Sequence, residues 1–288
     1  MITQYHKIAL TAAFGLALSC STNISCMLGE GGCRYDYSSS SSNEYTGTSS
    51  PSCDGGGGEV VYGDSVPYEN QTYKTVKIGS KIWFQQNLNY AVKGSRCYGE
   101  DGLVEDWETR ADVTLSTSEI QANCDNYGRL YDWAMAMNLP SKCSSVLSKN
   151  DAECAITTPN HRGICPSGWH IPSAADWNVL MKVANPSCSD NTTCACAGKK
   201  LKATSGWKII GENSGNGTDD FGFAALPGGY GYPNGRFIWI GNYGGWWSAS
   251  GNDASNTYGR SMLAGEDDFG WGNSTRNYLF SVRCVKDN

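Results

Sequence analysis

The 288-residue chain is short of charge, of histidine and of long apolar runs. Asp, Glu, Lys and Arg make up only 17%, with 22 basic against 28 acidic residues and a net charge of -6. No basic stripe exists to neutralise phosphates, which excludes a general nucleic-acid binder. Histidine is scarce too: of three, only His161 and His170 lie beyond the first 19 residues. No nucleophile elbow or base-orienting pattern accompanies either one. His170, between Trp169 and Ile171, reads as a hydrogen-bonded structural residue. The apolar run Ile8 to Leu18 is too short to span a bilayer stably.

That run follows Lys7 and ends in small residues, the form of a signal peptide over residues 1–19. Ala17-Leu18-Ser19 places cleavage before Cys20, and the same position resembles a bacterial lipoprotein box in which Cys20 is acylated. Lipidation implies a membrane anchor at the bacterial outer membrane or cell surface; soluble secretion and uncleaved anchoring are the alternatives. Export also fits the cysteines. Setting Cys20 apart leaves 12 of 13, an even number for an oxidising compartment. Cys26, Cys33 and Cys53 precede the main domain and nine follow. Nine is odd, so either a linker cysteine reaches the domain or one thiol stays free.

What is abundant is Gly (35), Tyr (16) and Trp (10), a mixture suited to a loop-rich extracellular domain. Residues 20–58 are Ser- and Gly-rich, with SSSSS at 38–42 and GGGG at 55–58. Such a segment buries too little apolar surface to offset its ordering and reads as a flexible tether; an O-glycosylated stalk or a disulfide-knotted peptide is the alternative. The domain proper is expected over residues 59–288.

Alternation from Thr72 to Ile78, a Gly79-Ser80 turn and Lys81–Phe84 predict a β-hairpin. The amide-rich run Gln85 to Tyr90 then satisfies loop backbone. Cys97 and Cys124 bracket an acidic insertion and would close it as a bridge; Cys143 and Cys154 frame another polar loop. Leu130, Trp133, Ala134 and Met137 repeat at helical spacing and predict an amphipathic helix. A second helix follows Ser173: its hydroxyl suits an N-cap, Asp176 completes a capping box, and Trp177, Leu180, Met181 and Ala184 form one stripe before Asn185-Pro186. Cys188, Cys194 and Cys196 crowd a short loop, where a local disulfide is favoured over metal. Strands are expected at 221–226, 236–240, 245–250, 258–263 and 278–286. In the last, Phe280, Val282 and Cys284 share one face, and the most attractive partner for Cys284 is Cys165.

Several blocks in one order carry a resemblance: YKTVKIG, QNLNY, YGRLYDWA, GICPSGWHIPS, GTDDFGFAALPGGY, GGWWSAS and FSVRCVKD. Over roughly Tyr73 to Asp287 the chain resembles the Fibrobacter succinogenes major paralogous (FISUMP) domain. More loosely, the capped helix and the late Arg-Cys-Val strand resemble the C-type lectin-like fold and its formylglycine-generating-enzyme relatives. This implies an α+β, disulfide-stabilised fold with two main helices packed on short twisted antiparallel strands, and loops that carry function. A Cys165–Cys284 bridge fits that architecture. The departures count as well. Gly245-Trp246-Trp247-Ser248 stands where calcium-dependent lectins carry a carboxylate set, and no reactive cysteine pair matches the oxygenase relatives.

No cofactor is expected, apart from a structural Ca²⁺ for which Asp219, Asp220, Asp267 and Asp268 are the candidate ligands. Solvated turns are the plainer reading of those acids. The aromatics Tyr230, Tyr232, Trp239, Tyr243, Trp246, Trp247 and Trp271 sit in glycine-rich loops and short strands. Adjacent Trp246 and Trp247 face opposite sides of a strand, so one is a candidate for exposure. Core packing is the default reading for most of these rings; those exposed beside Asn and Asp suit sugar rings. The expectation is a non-catalytic surface module for polysaccharide or a protein partner. The alternatives are an enzyme of hydrolase or oxygenase type, and a structural component of the cell envelope.

Overall fold

Alternation builds the first sheet. The computed structural model describes residues 53, 57–106, 108–145, 151–211, 213–251 and 256–287. The expected signal peptide, Cys20 and most of the tether lie outside the described residues. From Cys53 onward the chain forms one compact unit. Strands β1 (Val61–Tyr68), β2 (Gln71–Ile78) and β3 (Lys81–Phe84) pair antiparallel. Tyr73, Val76 and Ile78 of β2 are buried while Lys74 and Lys77 face solvent. Gly79 makes the predicted turn at φ +60, and a Cβ there would meet Val183 at 2.7 Å. Only glycine fits both demands.

The second sheet holds β4 (Leu103–Glu105) and β5 (Asp112–Val113), joined later by β9 (Tyr230–Gly231) and β10 (Arg236–Ile238) in the order β5-β4-β10-β9. Its β4–β10 pair is parallel, where only antiparallel pairing was expected. The first sheet is completed by β6 (Trp169–His170) and by β14 (Val285–Lys286), which lies between β3 and β6. Strands β7 (Ile209–Ile210) and β8 (Asn213–Ser214) form a small hairpin. The third sheet is the meander β11 (Tyr243–Gly251), β12 (Asn256–Leu263) and β13 (Gly270–Thr275).

The helix after Ser173 forms as expected. α3 (Ala174–Ala184) carries the reciprocal Ser173–Asp176 capping box, and Trp177, Leu180, Met181 and Ala184 are buried. The expected helix at 130–137 is corrected: only a single turn, α2 (Trp133–Ala136), forms, N-capped by Asp132. Leu130 instead bridges to Arg96, so the apparent stripe mixes an extended residue with a turn. The other long helix is α1 (Thr117–Tyr127), inside the acidic insertion, with its own capping box from Ser116 and Glu119. α4 (Ala197–Leu201) is short.

The expected strand at 221–226 is corrected as well. Asp219, Gly222 and Ala224 take positive φ, and the segment is held to α4 by Ala225 N–H donating to Leu201 O and Ala203 N–H to Ala225 O. In 278–286 only β14 is a strand. Upstream of it the chain passes between partners, bridging Leu279 to Gly231, Phe280 to Tyr131 and Ser281 to Trp246.

Two cores result. One gathers Trp83, Trp177, Phe223, Trp246 and Phe269; the other gathers Phe84, Tyr131, Trp133, Trp169, Trp247 and Phe280. Among the described residues five disulfides staple the fold: Cys97–Cys124, Cys143–Cys154, Cys165–Cys284, Cys188–Cys194 and Cys53–Cys196. The last answers the parity of the cysteines, because a linker cysteine reaches the domain.

Candidate ligand-binding surface

The aromatic residues singled out in the sequence divide into three groups. Trp246 and Trp247 are both fully buried, so neither is the exposed ring for which they were candidates. Strand alternation does send them to opposite sides, but a core covers each side of β11. Trp246 Nε1 donates to Asn87 Oδ1 at 2.8 Å, and Trp247 Nε1 donates to Tyr131 O at 2.7 Å. Asn87 also accepts from Arg283 Nη2 at 3.0 Å and donates to Tyr127 O. Trp271 is half-buried elsewhere, against the Tyr258 ring (4.4 Å) and the Arg260 guanidinium (4.4 Å).

Tyr230, Tyr232, Trp239 and Tyr243 do come together. β9 supplies Tyr230, the β9–β10 turn Tyr232, and the end of β10 and start of β11 Trp239 and Tyr243. Around Tyr230 the ring centroids of Tyr243, Tyr232, Trp239 and Tyr278 lie at 5.2, 5.3, 6.1 and 6.2 Å. Phe280 closes the base at 5.8 Å, joining the cluster to the second core. Edge-to-face contacts dominate, the geometry that ring quadrupoles favour. The Tyr230 and Tyr232 hydroxyls are 3.2 Å apart. Burial, then the bond to Tyr232, pushes the Tyr230 phenol well above its usual range, so it stays neutral. Trp239 sits at φ +68, a costly conformation for a bulky residue that the surrounding turn imposes. The five rings are half-buried, and four of them carry tyrosine hydroxyls. Tyr278 was missed in the sequence, although it alternates with Phe280 just before the last strand.

The acidic turns have structural partners. Asp219 Oδ1 accepts from Ala224 N at 2.7 Å, and burial raises its pKa. Asp220 N–H donates to Lys200 O. In the Glu266–Asp268 turn the cation is a lysine. Lys202, 1% exposed, donates from Nζ to Leu263 O at 2.6 Å and to Glu266 O at 2.5 Å. Burial pushes its amine down to about 8 against the pull of Asp267, Glu266 and Asp268. Among the described residues no group of three or more His, Cys, Asp or Glu converges to hold a metal ion.

The histidines are built into the frame. His161 Nε2 lies 2.8 Å from Met137 O. His170 is fully buried, with Nδ1 2.6 Å from Asp287 Oδ1 and Nε2 3.2 Å from Asp176 Oδ2. Both neighbours are carboxylates, so the ring donates to both when doubly protonated. Lys81 Nζ lies 3.0 Å from Asp176 Oδ1. Burial alone would raise Asp176, but hydrogen bonds from His170, Ser173 and Lys81 hold it well below the usual carboxylate range.

The fold and this surface define a disulfide-stapled α+β domain whose half-exposed aromatic cluster rests on a packed core. The model of the Fibrobacter succinogenes major domain matches residues 76–286, and the chain belongs to that family. No curated protein and no solved structure matches the chain.

Proposed function

We propose that this protein is an exported, lipid-anchored surface module that binds polysaccharide, without catalysis, through the rim of the Tyr230 cluster. In this reading Cys20 carries the lipid, the tether runs from there to Cys53, where the bond to Cys196 joins it to the domain, and the domain has a C-type lectin-like arrangement. Support for that arrangement comes from β14 lying between β3 and β6, and from Cys165 ahead of α3 bonded to Cys284 near the chain end. The observation that carries the binding role is the convergence of Tyr232, Trp239, Tyr243 and Tyr278 on Tyr230. Half-exposed rings beside hydroxyls supply what a sugar needs, apolar contact on one face and hydrogen bonds at its edge. Trp247, with its ring centroid 4.6 Å from that of Phe280, supports the rim from within.

Depletion of the purified protein from solution by insoluble polysaccharides tests the reading. Wild type is retained on at least one of them, while Tyr232→Ala and Trp239→Ala reduce retention tenfold or more with the fold intact. Retention unchanged by both substitutions, or absent for wild type across a polysaccharide panel, overturns it.

A further inference from the structure

A small cavity of about 130 Å³ lies where the end of β1, the loop after β3, the turn after α2 and the approach to β6 meet. At roughly 30 Å³ per water it has room for about four, the size of a chemical group and not of a whole sugar. Val92 and Ile164 supply apolar wall, while Tyr68, Tyr90, Asn138 and Arg162 supply polar side chains. Glu69, next in the chain to Tyr68, is the acid whose charge reaches that phenol. No ion pair joins it to Arg162 among the described residues.

Arg162 is exposed, yet its guanidinium is held at the wall. Nε donates to Cys165 O at 2.9 Å, and Cys165 is itself bonded to Cys284. Of five N–H donors on the fork, that bond uses one. The guanidinium lies beside the Tyr68 phenol, where burial raises the pKa and the charge of Arg162 pulls it back. Tyr68 Oη donates to Ile164 O at 3.1 Å, which commits its proton and fixes the ring. The Tyr90 ring stands edge-on to Tyr68 with centroids 5.3 Å apart, and its hydroxyl has no hydrogen-bond partner among the described residues. Asn138 sits exposed at φ +52, a conformation that Asn tolerates better than most residues. Its side-chain amide likewise has no partner among the described residues.

Arg162, Tyr90 and Asn138 stand on three separate segments, so a group between them meets donors from more than one wall. A preoriented guanidinium favours oxyanions. A carboxylate offers two oxygens in one plane, whereas a tetrahedral oxyanion offers oxygens to several walls at once. We propose that this cavity binds a tetrahedral oxyanion, sulfate or phosphate, as the free ion or as an ester on a larger molecule. The site is separate from the Tyr230 cluster and does not depend on it.

Titration calorimetry of the whole protein at matched low ionic strength, with inorganic sulfate, inorganic phosphate and acetate, tests the inference. Sulfate or phosphate binds at least tenfold more tightly than acetate. Arg162→Gln weakens that binding at least tenfold, and Arg162→Lys weakens it less. Glu69→Gln removes a repelling charge and strengthens it, while Tyr232→Ala leaves it unchanged. No binding of either tetrahedral ion, equal affinity for acetate, or undiminished binding in Arg162→Gln overturns the proposal. Should Arg162→Gln fail to fold by circular dichroism, Asn138→Asp places a repelling carboxylate on the exposed wall. It is expected to weaken the ion at least tenfold, and undiminished affinity overturns the proposal. Glucose 6-sulfate and glucose 6-phosphate separate the two sources. An ester that binds at least as tightly as the free ion assigns a group carried on a larger molecule, and binding of the free ion alone assigns the ion itself.

Discussion

Trp246 and Trp247 are consecutive residues that belong to different cores. The period of two along β11 turns one indole toward Trp177 and Phe223, and the other toward Tyr131 and Phe280. Each indole N–H has its own acceptor, Asn87 Oδ1 or Tyr131 O. β11 is therefore a partition between two packed layers, and the Tyr230 cluster grows from its first residue, Tyr243.

Replacing either indole empties a buried site whose neighbours cannot close around it. Trp246→Ala and Trp247→Ala are each expected to cost about 3–5 kcal/mol. Chemical denaturation followed by circular dichroism measures this, and a change under about 1 kcal/mol in either protein contradicts the partition.

The disulfides differ in the loops they close. Cys165–Cys284 spans 119 residues and Cys188–Cys194 spans 6. By the chain-entropy model the first contributes about 5 kcal/mol and the second about 2. Paired Cys→Ala substitutions compared by denaturant midpoint should rank in that order, with the Cys165/Cys284 pair much the more damaging.

Much of this frame was legible because local signals and tertiary packing agree. Ser173, Asp176 and the stripe from Trp177 to Ala184 specify a capped, one-sided helix, and it forms. The Ser116–Glu119 capping box was equally readable. α1 was overlooked because its sequence has hardly any apolar stripe, with Cys124 alone buried. The 130–137 stripe misled because Leu130 packs with Tyr98 and Phe237, whereas Trp133 packs with Tyr131 and Phe280. Spacing cannot report which core a side chain enters. For the same reason alternation placed Trp246 and Trp247 on two faces but could not say that both faces are covered. The cluster was partly legible from the density of Tyr and Trp around glycine turns. Tyr278 left only a faint local trace, its alternation with Phe280, and reaches Tyr230 through long-range packing.

Asp176 ties the central helix to the first sheet through His170 and Lys81. Its pKa is depressed in the folded protein relative to an unfolded value of about 3.9. Its contribution is therefore present above that value and is lost as pH falls toward the folded pKa. Asp176→Asn should be roughly 3 kcal/mol less stable at pH 7, because it leaves buried partners without their carboxylate. Below about pH 5 the gap should narrow. Thermal melts of both proteins from pH 7 to pH 3 measure it, and a gap independent of pH contradicts the assignment.

Lys202 gives the same direction of pH dependence in a higher window, but there the charged form costs stability instead of adding it. Its folded pKa of about 8 lies below the unfolded 10.5, so the unfolded chain holds the extra proton between those values. Stability from this group rises with pH across that window, by about 3 kcal/mol at most. Lys202→Met should lack that rise. Tyrosine ionisation is common to both proteins and cancels in the difference.

The most direct measurement is a crystal structure of the protein with an oligosaccharide cut from a polysaccharide that retains it. A sugar ring should lie against Tyr232, Trp239 or Tyr278 at stacking distance, with its hydroxyls bonded to the tyrosine oxygens. A sugar bound away from the Tyr230 cluster, with those rings left bare, would contradict the binding surface described above.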